Sequence, residues 1–419
     1  MDYKENLLFT PEGVRDIYGK ECENRRNVES SIHEIMKLYG FQHIQTPTFE
    51  FFDIFRQERG TVASKEMFKF FDQYNNTLVL RPDITPSVAR CVAKYYAREE
   101  MPIRLSYSGS TFIHRRGYQG KLSEISQIGA ELMNDSSSDA DAEMIALTVE
   151  CLAKSGLKEF KIDVGHAGFI RGLMEETGFQ KEEMEQYKTL LANKNIFGVE
   201  EYLETKEISS ELRELLIKLP DLFGGRETLA YARENVHHAL AREALERLET
   251  VYEILDIYGL SECVTFDLSM LSHYEYYTGI IFKAYTYGTG EAIVTGGRYD
   301  KLIEQFGKEA PAIGLAIVLD QLMNALHKQK AEISERKDGV LILYRSADRK
   351  EAIHLGNRYR DEGREVILMR KAADKAFAVY ESYAAEHEIA AIVHVEDGNV
   401  MEWHMDANGA WNHPNTEQK

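Results

Sequence analysis

Apolar residues recur at helical spacing early in the chain. Val28, Ile32, Ile35, Met36 and Tyr39 share one face, which predicts a helix from about residue 21 that Gly40 stops. Residues 41–51 then read as a strand broken by Pro47, a position that suits an edge, a bulge or an interface. Residues 67–72 and 77–80 pattern as a hairpin with Asn75 and Asn76 in its turn. The run Arg81-Pro82-Asp83-Ile84-Thr85-Pro86 opens a helix from Ser87 to about Tyr96. Asp83 and Thr85 stand near its start, where both residue types commonly cap.

The period changes in residues 104–133. From Ser123 the chain alternates, with Ile125 out of phase. Gln127, Gly129 and Glu131 fall on one side of a strand, Ile128, Ala130 and Leu132 on the other. A face with two polar groups around a glycine suits a binding floor, because glycine lets a ligand approach the backbone. An ordinary solvated hairpin accounts for the same pattern. A basic, glycine-punctuated loop, 115–121, joins this strand to the one before it.

Beyond it come an acidic helix near 138–155 and a strand at 159–164. Residues 166–258 are almost wholly helical in pattern, which predicts a helical insertion; Leu240, Ala244, Leu245, Leu248, Val251, Tyr252 and Leu255 form its clearest apolar face. Strands are expected at 264–267, 279–285 and 292–295, a glycine turn into a helix at 295–300, and a closing helix at 316–330. Polar residues 331–339 read as a linker. Strands at 340–344, 366–369 and 389–395 alternate with helices at 348–362 and 373–386, predicting a small α/β domain over 340–419 with a largely parallel sheet. The polar tail after Trp403 is expected to fray.

Composition narrows the class. A chain of 419 residues exceeds one ordinary core, so two or three domains are expected, the first over 1–330. Its 44% apolar and 28% charged residues are those of a soluble globular protein. The net charge of −19 opposes a broad nucleic-acid footprint. Four scattered cysteines, without a C-x-x-C pair, give neither a zinc site nor a disulfide framework, and imply reduced thiols and a cytoplasmic location. No signal peptide and no spanning apolar run is legible, so no membrane partner is expected.

Residues 271–279 pack His273, Tyr274, Glu275, Tyr276 and Tyr277 together. Phenols offer hydrogen bonds with apolar area and suit a small polar ligand; cross-strand aromatic packing explains them equally. There is no P-loop, no dinucleotide-binding glycine fingerprint after a strand, no nucleophile elbow and no H-E-x-x-H.

Over about residues 8–325 the chain resembles the histidyl-tRNA synthetases, a class II synthetase family. The resemblance is carried by TPEGVRD at 10–16, YGFQHIQTPTFE at 39–50 (motif 1, the dimer strand), RPDIT at 81–85, the stretch 104–133 (motif 2), LSHYEYYTG at 271–279, GGRYD at 296–300 and PAIGLAIVLDQLM at 311–323 (motif 3). It implies an α+β fold: an antiparallel sheet flanked by helices, with a helical insertion and a small C-terminal α/β domain resembling an anticodon-binding module.

The departures fall on one side of the implied site. Ile113 stands where motif 2 has the arginine that grips the α-phosphate and the amino-acid carboxylate, Ser272 at the histidine-specific arginine, and Gln321 at the motif 3 arginine. Arginine donates a planar fork and keeps its charge; isoleucine, serine and glutamine do neither. Loss of one such donor costs about a hundred- to a thousand-fold in rate. The amino-acid side is kept: the resemblance assigns Asp83, Thr85, Gln127, Glu131, Tyr276 and Tyr277 to histidine. The combination resembles the ATP phosphoribosyltransferase regulatory subunits, a family of synthetase paralogues. That implies no catalytic residue, no metal and no cofactor. It implies L-histidine as an allosteric ligand, a short-form catalytic subunit as partner in the first step of histidine biosynthesis, and feedback inhibition by histidine. A homodimer through the motif 1 region follows by analogy, and tRNA is not expected. An active histidyl-tRNA synthetase is the alternative.

Overall fold

The computed structural model describes residues 8–55, 62–114, 122–271, 276–331, 339–405 and 411–412. The chain divides into two compact units, residues 1–333 and 334–419. No helix among the described residues is long and apolar enough to cross a membrane.

The first unit is built on a sheet of nine strands among the described residues. These are β1 (Gln42–His43), β5 (Ile103–Phe112), β6 (Glu124–Met133), β12 (Ala312–Val318), β11 (Val294–Arg298), β10 (Ile280–Thr286), β7 (Phe160–His166), β9 (Val264–Asp267) and β8 (Phe223–Gly224), in that spatial order. Pairing is antiparallel except at β1–β5 and β7–β9. Alternation in β6 sorts its side chains as the sequence predicts. Ile128, Ala130 and Leu132 enter the main core, with helices Gly19–Leu38, Ser138–Lys154 and Ala239–Ile257 over them. The opposite face carries a smaller core under helix Thr85–Tyr95, built from Ile84, Val88, Val92, Tyr107, Tyr276 and Tyr299. The functional groups lie on that second face.

Several expectations are corrected. Residues 41–51 are not one strand. Pro47 separates β1 from β2 (Phe49–Phe51), which joins a different sheet with β4 (Thr77–Leu80) and β3 (Lys69–Phe71). Residues 295–300 do not turn into a helix, because Gly296 and Gly297 lie within β11. A Cβ at Gly296 would run into the Phe282 ring and come within 2.7 Å of the Gly314 carbonyl, so the glycines answer to crowding, not to a turn. The helix expected at 316–330 is β12 followed by Leu319–Lys328. Its AIGLAIV run is buried on both faces and shows no period of two. The residues read as an insertion also supply β8, and their last helix packs into the main core.

The second unit has parallel β14 (Val366–Arg370), β13 (Val340–Tyr344) and β15 (Ala391–Glu396), then antiparallel β16 (Asn399–Met405) and β17 (Trp411–Asn412). Helices Arg349–Asp361 and Phe377–Glu386 cover opposite faces. Strands β16 and β17 replace part of the expected frayed tail. Asp397 and Gly398, at φ of 49° and 77°, make the D-G hairpin turn that the sequence already carried.

Gly296→Ala is expected to lower stability by about 1–3 kcal/mol, because its neighbours are a buried ring and a backbone carbonyl. Urea denaturation followed by circular dichroism checks this; an unchanged midpoint would contradict it.

Candidate amino-acid pocket

Cross-strand register places the pocket. Glu131 of β6 pairs with Gly314, Gly314 with Gly297, and Gly297 with Ile281. Two residues along, Tyr107, Gly129, Ala316, Thr295 and Lys283 form the next row. Partners in register share a face, so the floor is paved with glycine, alanine and threonine between larger polar groups. The small residues are needed. A Cβ at Gly314 would strike the Glu131 carboxylate, and one at Gly297 would come within 2.8 Å of the Tyr277 ring.

Above this floor lies a small, partly open cleft. All six residues assigned to histidine by resemblance line it: Asp83, Thr85, Gln127, Glu131, Tyr276 and Tyr277. Sequence reasoning missed Thr295, Tyr299, Gly314, Leu315 and Ala316. Tyr299 sits in the GGRYD run, which was singled out but read as a turn.

Glu131 is the centre of the site and is 1% exposed. Thr85 Oγ1 donates to its Oε1 at 2.7 Å and Tyr107 OH at 3.3 Å, while Tyr299 OH donates to Oε2. Burial pushes its pKa up to about 8; the hydroxyl donors oppose that rise, and nearby Asp83 adds to it. Asp83, also buried, has its pKa raised by desolvation against the pull of Thr85 N–H and Tyr276 OH, each 3.2 Å away. The capping alternative for these two residues is thus half right: Asp83 holds the Thr85 N–H, but Thr85 spends its hydroxyl on Glu131. Gln127 Oε1 is buried with no hydrogen-bond partner among the described residues. No lysine or arginine stands among the described lining residues. Two buried carboxylates and an unmatched amide carbonyl, without a cation, ask for a ligand that is positive or rich in N–H donors.

The walls are held from behind. Arg298, 4% exposed, donates to Asp141 Oδ1 at 2.8 Å and to the Asp135 carbonyl at 2.9 Å. Arg247 closes the other side of Asp141 at 2.7 Å. This clamp fixes the strand end that carries Tyr299. Ile113 and Gln321 lie outside the pocket lining, on the hairpin and on helix Leu319–Lys328. Ser272 and the 115–121 loop fall outside the described residues. Among the described residues no group of three or more His, Cys, Asp or Glu is placed to hold a metal.

Known proteins resemble this chain over most of its length. The family model for histidyl-tRNA synthetase matches residues 13–322. An ATP phosphoribosyltransferase regulatory subunit of Acetivibrio thermocellus is 38% identical over 397 residues, covering 95% of this chain and 94% of that protein. One from Ruminiclostridium cellulolyticum is 39% identical, covering 94% and 93%. A solved structure from Bacillus halodurans C, described as an ATP phosphoribosyltransferase regulatory subunit/histidyl-tRNA synthetase, superimposes with a TM-score of 0.81 at 32% identity, covering 90% of this chain and 96% of that one.

The raised Glu131 pKa fixes a pH dependence. The folded state keeps a proton that the unfolded chain releases near pH 4.5, so this residue's contribution to stability falls as pH rises from about 4.5 to about 8. The slope is at most about 1.4 kcal/mol per pH unit. Glu131→Gln removes the titration. It is expected to flatten the melting temperature against pH in that window and to melt above the wild type at pH 8–9. A parallel pair of profiles would contradict this.

Proposed function

The chain belongs to the histidyl-tRNA synthetase family and, within it, with the ATP phosphoribosyltransferase regulatory subunits; on that premise we propose that it regulates a phosphoribosyltransferase and does not itself acylate tRNA. Its partner is the short-form catalytic subunit, which it makes active and renders sensitive to histidine. The observation that carries this reading is the asymmetry of the site. The cation-seeking pocket is complete and buried, whereas Ile113 and Gln321 occupy two positions that an adenylating enzyme fills with arginine. An amino acid can be held there, but a triphosphate lacks its partners.

Histidine carries an ammonium group and imidazole N–H donors, the chemistry that Asp83, Glu131 and Gln127 call for. Binding inhibits only if one state of the complex holds histidine better than the other. The homodimer is assigned to the motif 1 region. Phe49 and Phe51 of β2 and Phe71 of β3 are 52%, 55% and 69% exposed, an aromatic surface that suits burial against a second copy. The second unit is not assigned a role with tRNA.

Co-purification with the catalytic subunit, then an activity assay with and without histidine, tests the proposal. Activity is expected to require this chain and to fall with histidine. Calorimetry of the isolated protein is expected to show histidine binding and no tight ATP binding; charging of tRNA with histidine would overturn the reading. Glu131→Ala removes a charge-assisted contact worth about 1.5–3 kcal/mol. It is expected to raise the histidine concentration for half-inhibition by about 10- to 100-fold, and Tyr277→Phe by less, with assembly intact by size-exclusion chromatography. Wild-type sensitivity in the Glu131→Ala complex would refute the pocket assignment.

A further inference from the structure

The pocket offers two acidic groups to the positive end of an amino acid and, among the described lining residues, no cation to its carboxylate. No lining residue among those described is cationic, and the motif 2 position that would hold a carboxylate is Ile113. The N-terminus of helix Thr85–Tyr95 is no substitute, because the Thr85 N–H already donates to Asp83. A carboxylate buried without a counter-charge would oppose binding.

The floor itself carries a cation one strand beyond the cavity. Lys283 of β10 pairs in register with Thr295, which lines the pocket, so the two side chains rise from the same face about 5 Å apart at the backbone. Lys283 is half-buried. Its Nζ makes one long hydrogen bond, 3.4 Å, to the Leu271 carbonyl, and no ion pair within 4 Å among the described residues. Leu271 follows Met270, whose side chain lies over Gly165 of the Glu131 row. This bond holds the amine on the β7 side of the floor, and a ligand carboxylate beside Thr295 would draw it back across β10. The acidic groups facing it are Asp163, on the adjacent strand β7 and taken up by Thr265 Oγ1 at 2.5 Å, and Asp267 at the end of β9, bonded to Ser269. Burial lowers the proton affinity of Lys283, against the opposing pull of Asp267 and Asp163. A ligand carboxylate would supply what the burial takes away.

We propose that Lys283 is the carboxylate anchor of this pocket, and so the residue that makes it select an α-amino acid over the corresponding amine. The proposal rests on the reading of the cavity as a histidine site. In that arrangement Asp83, Glu131 and Gln127 hold the N–H-bearing groups at the β6 end. Lys283 holds the carboxylate at the β10 end, across the small-residue floor of Ala316 and Thr295.

Calorimetry with L-histidine and with histamine, which lacks the carboxylate, separates the two readings. Wild-type protein is expected to prefer histidine by at least about tenfold, a gap equivalent to about 1.4 kcal/mol. Lys283→Gln and Lys283→Met are expected to lose that preference, with weaker histidine binding, unchanged histamine binding and an unchanged melting temperature. Lys283→Arg is expected to keep most of it. Undiminished preference in both neutral variants overturns the proposal while leaving the histidine pocket standing. So does an equal loss of both ligands with a lowered melting temperature, the signature of a lysine that only balances Asp163 and Asp267. If wild type binds neither ligand, the pocket reading fails and the anchor with it.

Discussion

Glu131 and Asp83 are buried together with no cation among the described residues that line their cavity. Around that constraint the remaining geometry falls into place. A lone buried carboxylate is costly, and a neighbouring like charge makes it more so. The fold answers with three hydroxyl donors on Glu131 and a phenol and an N–H on Asp83. Those donors come from distant parts of the chain: Thr85 at the start of a helix, Tyr107 on β5, Tyr276, and Tyr299 after β11. Holding them together fixes the register of the central strands. Gly314 must lack a side chain because Glu131 occupies that space. The result is a buried, acceptor-rich site in which Glu131 keeps its proton at neutral pH until a positive ligand can replace it.

The same scaffold is braced by buried arginines. The buried arginines that remain are structural. Arg81 donates to the carbonyls of Thr46 and Ser110 and ties the segment before β2 to β5. Arg298 ties the end of β11 to the helix Ser138–Lys154 through Asp141. Removing either would leave buried partners unpaired, at about 1–3 kcal/mol for each. Ile113 and Gln321 stand outside the cavity lining.

Much of the first unit was legible in the sequence, wherever one face of an element is buried and the other is wet. The helix Gly19–Leu38 follows from that rule, the hairpin of β3 and β4 from its Asn75-Asn76 turn, and the alternation of β6 from a second face that is buried but polar. It failed at β11 and β12, which are covered on both sides, so their glycines and uniform apolar run lacked a period. It also failed at β16, where the D-G turn signal was present in polar surroundings and was passed over.

For the site, the sequence alone determined its chemical inventory: which residues resemble a histidine-binding set, and which arginines are missing. Motif order supplies that because residue identity is written locally. Only the tertiary structure decided which groups meet. It placed Tyr299, Thr295 and Gly314 beside Glu131, put Lys283 on the same floor, and kept Ile113 and Gln321 out of the cavity lining. These juxtapositions depend on strand register across chain separations of more than a hundred residues. No local pattern encodes such a register, because it is set by which side chains can be buried against each other when the sheet closes.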